Sequence, residues 1–224
     1  MPIRKEVFAP GEIYHVYNRA AGAEKIFTNN FYINEALKRI QYFKFEASMT
    51  YINFNKYKKH FSTDALLQKH NQNPYPLVEI YAHSLMPSHF HFAIKELIEG
   101  GLKTFLSKFQ MSFARLYNAK EKRTGVVFQG RFKVKHISTT EQFKHIVRYI
   151  HLNPVTAYLF DFDALSNSLR SSYSEYVNSI KKYNIADTEF VMKQFSSIED
   201  FKSFHKNQID YQRKLSTIKK LLLE

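Results

Sequence analysis

The chain has 224 residues, of which 44% are hydrophobic, and its 33 lysines and arginines outnumber 20 acidic residues to give a formal net charge of +13 at pH 7. With 21 Phe and 15 Tyr, a chain of this length can bury one substantial core, which excludes a wholly disordered protein. The absence of cysteine excludes disulfide scaffolds, Cys-ligated metal sites and thiol nucleophiles, and the positive charge favours a polyanionic partner such as nucleic acid.

The first part of the chain predicts a strand followed by a helix. Residues Glu12–Arg19 are rich in aromatic and β-branched side chains, as strands are. Apolar residues then recur at helical spacing after Asn30, the predicted N-cap. Residues 51–76 lose this pattern, and we interpret them as an insertion with a short helix near Asp64–Lys69. No signal peptide and no apolar run of the ~18 residues that cross a membrane is found, so we expect a cytoplasmic protein with no membrane partner.

The middle of the chain predicts five further elements before a polar, helical remainder. In chain order these are two antiparallel strands, an amphipathic helix, a short strand and a helix ended by Asn153-Pro154, over Leu77–Leu85, His89–Lys95, Leu102–Leu116, Phe132–Ile137 and Thr140–Leu152. The first six elements of the chain follow the order βαββαβ. This order predicts an α+β, ferredoxin-like (RRM-like) fold, in which an antiparallel sheet carries its helices on one face and leaves the other face or an edge free for a polymer. We expect one domain over residues 8–160, including the insertion, and a helical C-terminal extension over 161–224.

Two histidines on the third predicted strand are candidate metal ligands. Residues two apart on a strand point to the same face, so His89 and His91 project side by side while Phe90 and Phe92 face the opposite layer. Two parallel imidazoles make half of a metal site. The alternative is that two of ten histidines fall close together by chance.

Tyr149 and Asn153 lie four residues apart and therefore share one flank of the last predicted helix. A tyrosine in this position could attack a molecule lying on the sheet, and the amide oxygen of Asn153 could serve as a third metal ligand. The alternative is an interfacial tyrosine followed by an asparagine that ends the helix.

The positive charge is concentrated in the centre of the chain. Between Lys103 and Arg148 there are eleven lysines and arginines but two acidic residues. Cations on phosphates and aromatic rings under bases are how single strands are held, and this combination predicts DNA contacts from Phe128, Arg131, Phe132, Lys133, Lys135 and Arg148. The alternatives are a solvated loop and a generally basic soluble protein.

Several of these motifs, taken together and in order, resemble the one-tyrosine transposases with a histidine–hydrophobe–histidine metal site (HUH, IS200-like). The similar segments are Tyr14–Arg19, Leu85–Phe92, Gly125–Lys133 and Arg148–Val155, with Ser171–Tyr173 resembling the branch associated with repetitive extragenic palindromes (REP). The family usually has Gly where this chain has Ala20.

The resemblance implies a prokaryotic enzyme, associated with the nucleoid when bound to DNA, that cleaves and rejoins single-stranded hairpin DNA through a 5′-phosphotyrosine. It makes Tyr149 the nucleophile and His89, His91 and Asn153 the ligands of Mg²⁺ or Mn²⁺. The monomer is favoured because the C-terminal extension could cover the tyrosine helix, and a homodimer is the alternative. Two other functions stay open: a non-catalytic module that binds single-stranded nucleic acid, and a zinc-stabilised structural protein. His83, His145 and His151 are weaker candidate ligands.

Overall fold

The computed structural model describes residues 8–46, 75–178 and 182–209, together with positions 51, 53 and 56. The insertion predicted over 51–76 falls mostly outside these residues, as does the short helix predicted near Asp64–Lys69. No helix in the described part of the chain is long and apolar enough to span a membrane.

The described residues form a four-stranded sheet and six α-helices, two of which have only five residues. In chain order the elements are β1 (Ile13–Arg19), α1 (Asn30–Phe43), β2 (Val78–Met86), β3 (His89–Glu96), α2 (Gly101–Lys120), β4 (Lys133–Ile137), α3 (Thr140–Thr156), α4 (Tyr173–Val177), α5 (Thr188–Met192) and α6 (Ile198–Lys206), with 3₁₀ turns at Ala21–Ala23 and Phe162–Asn167.

The sheet confirms the predicted α+β fold, and its topology is consistent with a ferredoxin-like arrangement. Its strand order is β2-β3-β1-β4, and every neighbouring pair of strands is antiparallel. Helices α1 and α2 follow β1 and β3, as the βαββαβ order requires. The first and third strands of the chain therefore lie side by side in the centre of the sheet.

Alternation along β3 separates an apolar layer, formed by Phe90, Phe92 and Ile94, from a polar one. Phe90, Phe92 and Ile94 are completely buried in a core that also contains the apolar stripe of α2, including Phe105 and Phe109. His89, His91 and Ala93 face the other side of the sheet, because successive side chains of a strand point in opposite directions. This core fixes the backbone on which the polar layer stands.

Part of the opposite face, expected to be free, is covered. Helix α3 packs there through Phe143, Val147 and Ile150, over the small residues Ala82 and Ala93 of the sheet. The same apolar cluster includes three rings from the C-terminal extension, contributed by Tyr173, Tyr176 and Phe201. Small side chains at these two positions let the helix approach. The exposed side chains of this face are Arg19 of β1 and Lys133 and Lys135 of β4, whereas His91 is 6% exposed.

The C-terminal extension is bound to the sheet and to α3 by polar contacts as well as by this cluster. The Leu85 backbone N–H donates to the Arg170 carbonyl, so the extension lines the outer edge of β2. Inside the cluster, the ring nitrogens of His151 lie 3.0 Å from His205 Nε2 and 3.0 Å from Ser172 Oγ. Ser172 in turn accepts a hydrogen bond from the His83 backbone N–H. One buried chain of hydrogen bonds thus joins the sheet, the tyrosine helix α3 and the C-terminal extension.

Two helix ends differ from the sequence-based expectation. The N-cap of α1 is Asn29, whose side chain accepts a hydrogen bond from the Tyr32 N–H, and Asn30 is the first helical residue. Asn153-Pro154 does not end α3, which continues to Thr156. Residues 152–156 are all buried, and this burial outweighs the one helical hydrogen bond that proline cannot make.

The burial of His205 predicts that the extension makes folding sensitive to acid. His205 is completely buried, and burial lowers its pKa from the ordinary value of 6.5 to about 3. Below pH 6.5 the unfolded chain therefore binds a proton that the folded chain excludes, so stability present above that pH is lost as the pH falls towards 3. The contribution of this one group is up to about 1.4 kcal/mol per pH unit.

Urea unfolding across this pH range would measure the effect. A His205→Gln variant cannot titrate at this position, so its stability should fall less steeply with decreasing pH than that of the wild type. His145→Gln is the matched control, because the His145 side chain is half exposed. Identical pH slopes for wild type and His205→Gln would contradict the prediction.

Candidate functional site

The polar face of the sheet carries rows of side chains that run across the strands. In one row, Tyr17 of β1 is paired with His91 of β3 on one side and with Lys133 of β4 on the other. Arg19 of β1 is paired with His89 in the same way. Paired residues of antiparallel strands share a face, so the register brings the two candidate ligands together with aromatic and cationic side chains.

Sequence reasoning missed His15, which is the closest polar contact of His91. His15 Nε2 lies 2.9 Å from His91 Nδ1, and the two rings stack with their centroids 5.2 Å apart. His15 lies two positions before Tyr17 on β1. The strand period of two therefore predicts that these two side chains share one face of the sheet. The predicted fold, however, did not give the register of β1 on β3 that brings His15 against His91.

Burial and positive neighbours favour the neutral form of all three histidines. Burial and, to a smaller extent, the Arg19 charge lower the pKa of His89 from 6.5 to about 4. Burial likewise lowers the pKa of His15 to about 4, with Lys135 acting in the same direction. The pKa of His91 is held well below its usual range by burial and then by His15. Neutral imidazole is the form that binds metal ions.

Tyr149 stands on α3 beside these histidines. Its ring meets His91 edge to face with centroids 5.7 Å apart, and meets His15 in the same manner at 5.9 Å. The side chain is half-buried. Burial raises the pKa of the Tyr149 phenol, and the neighbouring Asn153 amide opposes that shift. The phenol is thus a poor nucleophile at neutral pH unless a cation or hydrogen-bond donor stabilises its oxygen.

Asn153, one helical turn after Tyr149, places a buried amide beside the Tyr149 phenol. The residue is 8% exposed, and within the described residues its side-chain Nδ2 has no hydrogen-bond partner. A bound water or ion is one explanation for a buried polar atom without a partner, and five other such atoms lie elsewhere in the described residues. Because the two ends of an amide exchange by a half-turn of the group, the same position can present the oxygen to a cation.

These residues fit a divalent cation only if other ligands complete its coordination. No three His, Cys, Asp or Glu side chains of the described chain are arranged to hold a metal together. His89 and His91 provide two adjacent imidazoles, and Asn153, which neighbours Tyr149, would add one amide oxygen. Such an incomplete set leaves positions for water or a phosphate oxygen, as catalytic sites do and closed structural sites do not.

A cationic groove adjoins the histidines at the end of β1. It has a volume of about 560 Å³ and is lined by Tyr17, Asn18, Arg19, Gln129, Gly130, Arg131 and Lys133. The loop on its far side is held to β1 by the Gln129 N–H, which donates to the Arg19 carbonyl. Arg131, Lys133 and Lys135 are exposed, as their predicted role in binding phosphate requires.

The two phenylalanines predicted to stack on bases are core residues instead. Phe128 and Phe132 are each 8% exposed. The Phe128 ring packs against Phe27, Phe90 and Phe113. Their rings therefore fix the basic loop to the core and offer no open surface on which an unpaired base could stack.

Arg148 and the weaker histidine candidates also have structural partners. Arg148 is 6% exposed, lies 4.0 Å over the Phe204 ring and donates to the Phe204 carbonyl, which places it under the C-terminal extension and away from a DNA surface. His83 Nε2 lies 3.2 Å from Glu175, and His145 pairs with Glu141. His151 belongs to the buried chain of hydrogen bonds described above. The contacts of these three histidines are thus with residues other than His89 and His91.

No protein-family model matches this chain, and no curated protein is significantly similar to it. Among solved structures, one similar chain is described as a REP-associated tyrosine transposase bound to a REP hairpin. The two share 16% sequence identity over 84% of this chain and 98% of the other, with a TM-score of 0.48. At this identity and TM-score, the likeness assigns no role to any residue of this chain.

Proposed function

We propose that this protein is a metal-dependent, single-stranded DNA transposase that cleaves and rejoins hairpin DNA through a tyrosine. The observation that supports this most strongly is the position of Tyr149 edge-on to His91, beside His89 and a cationic groove. Binding of DNA alone requires neither a histidine pair nor a tyrosine next to it. The sequence motifs that resemble the one-tyrosine transposases include these same residues.

In the proposed reaction the Tyr149 oxygen attacks a phosphorus atom of the DNA backbone. The new bond joins the phenol oxygen to phosphorus while the bond from phosphorus to the 3′-oxygen breaks. The phenol proton is released to solvent, and the departing 3′-oxygen takes up a proton to become a hydroxyl. The phosphotyrosine conserves the energy of the broken bond, so a 3′-hydroxyl can reverse the step and rejoin strands without ATP.

His89, His91 and Asn153 would hold Mg²⁺ or Mn²⁺. Such an ion, when bound, polarises the phosphate and offsets the charge that develops on it. Mn²⁺ tolerates imidazole ligands better than Mg²⁺ does. The Arg19 charge lowers the pKa of Tyr149, partly offsetting the increase caused by burial, and therefore favours the attacking phenolate.

The C-terminal extension supports the proposal of a monomeric enzyme. Tyr173, Tyr176 and Phe201 share an apolar cluster with α3, and His205 contacts His151 on that helix. In the proposed monomer, these contacts would hold α3 over the sheet of its own chain.

The proposed function is tested by following the two halves of a cleaved strand separately. A single-stranded hairpin DNA is labelled at either its 5′ or its 3′ end and incubated with the protein and Mn²⁺. We expect the 3′-end label to become attached to denatured protein, and the 5′-end label to appear in a shorter strand bearing a 3′-hydroxyl. EDTA should prevent both products. Hairpin binding without either product would instead support the non-catalytic binding module.

The exposed cations of the groove predict how DNA affinity depends on salt. Arg131 and Lys133 are both exposed and both line the groove. A protein that binds single-stranded DNA releases counterions. The logarithm of its binding constant therefore falls with the logarithm of salt concentration, with a slope of about −0.7 for each phosphate neutralised. Replacing both residues by Ala should therefore flatten the salt dependence of affinity by roughly one to one and a half units, and should weaken different sequences about equally.

Titrations of single-stranded and duplex DNA across a salt series would measure this slope. The matched control is Lys202→Ala with Lys206→Ala, which removes the same charge from exposed positions on α6, outside the groove. An equal change in slope for both double variants would mean that the groove is not the phosphate-binding surface.

A further inference from the structure

His15 contacts His91, a candidate metal ligand, and is almost inaccessible to solvent. It is 7% exposed, and its Nε2 atom lies 2.9 Å from Nδ1 of His91. The Tyr17 ring is stacked on His91 with centroids 5.5 Å apart and lies 5.3 Å from His15. Tyr149 closes the other side, edge-on to both imidazoles. These neighbours leave the two rings little freedom to separate or rotate.

A hydrogen bond between two ring nitrogens requires one N–H and one lone pair. If the His91 Nδ1–H donates, His91 keeps a lone pair on Nε2, where a cation can bind. If the His15 Nε2–H donates instead, a neutral His91 carries its hydrogen on Nε2 and cannot bind a cation through either nitrogen. The direction of this one hydrogen bond therefore decides whether His91 can act as a ligand.

We propose that His15 is a positioning residue that accepts the Nδ1–H of His91 and thereby holds His91 in the tautomer whose Nε2 lone pair is available to a divalent cation. The proposal rests on the function proposed above, because it assigns His91 to that cation. Ligating histidines generally donate their second N–H to a carboxylate, a carbonyl or water. Here a neutral imidazole on the neighbouring strand takes that place.

The tautomer can be read directly in the metal-free protein. The full-length chain is labelled with ¹⁵N at histidine and treated with EDTA, and long-range ¹H–¹⁵N correlation spectra distinguish protonated from unprotonated ring nitrogens. We expect His91 to carry its proton on Nδ1 and His15 to have an unprotonated Nε2. A His91 protonated on Nε2 would overturn the proposal.

Two substitutions separate the hydrogen bond from the packing of the ring. His15→Phe keeps an aromatic ring but cannot accept a hydrogen bond, whereas His15→Gln keeps an acceptor oxygen. We expect His15→Phe to move the His91 proton towards Nε2 and to weaken Mn²⁺ binding, measured by calorimetry, by about 10–100-fold. His15→Gln should restore the tautomer and most of the affinity. An unchanged tautomer and unchanged Mn²⁺ affinity in His15→Phe would show that His15 has only a packing role.

Neither readout uses DNA or cleavage, so the proposal can fail or hold independently of the proposed transposase activity. If a substituted protein does not fold, as judged by its backbone amide spectrum, the wild-type tautomer decides the question alone. If the wild type binds no Mn²⁺ but shows the expected tautomer, the hydrogen bond is established and the assignment of His91 to a cation is overturned.

Discussion

Tyr149→Phe is expected to abolish the covalent protein–DNA product while leaving hairpin binding and folding nearly intact. The phenol oxygen is the only atom removed, and without it no phosphotyrosine can form at this position. The Tyr149 ring packs edge-on to His91 and His15, and phenylalanine preserves those ring contacts. The substitution should therefore change the free energy of unfolding by less than about 1 kcal/mol.

The measurement is a denaturing gel of protein incubated with 3′-end-labelled hairpin DNA and Mn²⁺, alongside a binding titration of the same variant. Tyr158→Phe is the matched control, since Tyr158 lies just beyond the same helix and is 71% exposed. Adduct formation by Tyr149→Phe would contradict the assignment. Loss of the adduct in the Tyr158 variant instead would make Tyr158 the nucleophile.

Replacing either His89 or His91 by Ala should remove Mn²⁺ binding and DNA cleavage together. The centroids of the His89 and His91 rings lie 5.1 Å apart on one face of β3, and each imidazole is a candidate direct ligand. Loss of a direct ligand should weaken Mn²⁺ affinity by more than the ~10–100-fold typical of losing a supporting hydrogen-bond partner. Asn153→Ala should have a smaller effect, because water can replace a neutral amide oxygen.

Calorimetric titration of Mn²⁺ into each variant would test this expectation, with cleavage assayed on the same preparations. His145→Ala is the control, because this half-exposed histidine pairs with Glu141 and is not in contact with the pair. Wild-type Mn²⁺ affinity in both variants would exclude the histidines as ligands. Reduced affinity in His145→Ala as well would indicate unspecific binding of Mn²⁺ to surface histidines.

Local spacing predicted the parts of the site that lie within one element. The shared face of His89 and His91 follows from the strand period of two, and the neighbouring positions of Tyr149 and Asn153 follow from the helical period. The order of strands and helices likewise predicted the βαββαβ sheet. Periodicity is readable in one sequence because each element repeats its pattern over several residues.

Contacts between distant segments were not predictable in this way. His15 meets His91 only because β1 pairs with β3, 76 residues along the chain. Phe128 was read as exposed because a basic loop surrounds it, but its bridge to Ala20 turns the ring into the core. Arg148 was read as a DNA contact, but Phe204, 56 residues later, covers it. In each case, pairing or packing over long sequence distances decided which side chain is exposed.

The buried chain of hydrogen bonds through Ser172, His151 and His205 also sets an order of events during synthesis. A chain leaves the ribosome from its N-terminus, and His205 follows His151 by 54 residues. While the ribosome is still completing the extension, α3 can pack on the sheet through its apolar residues, but His151 has not yet met its last partner. The residues that line the cationic groove all precede Val134, so the groove is synthesised before α3 meets its last buried partner.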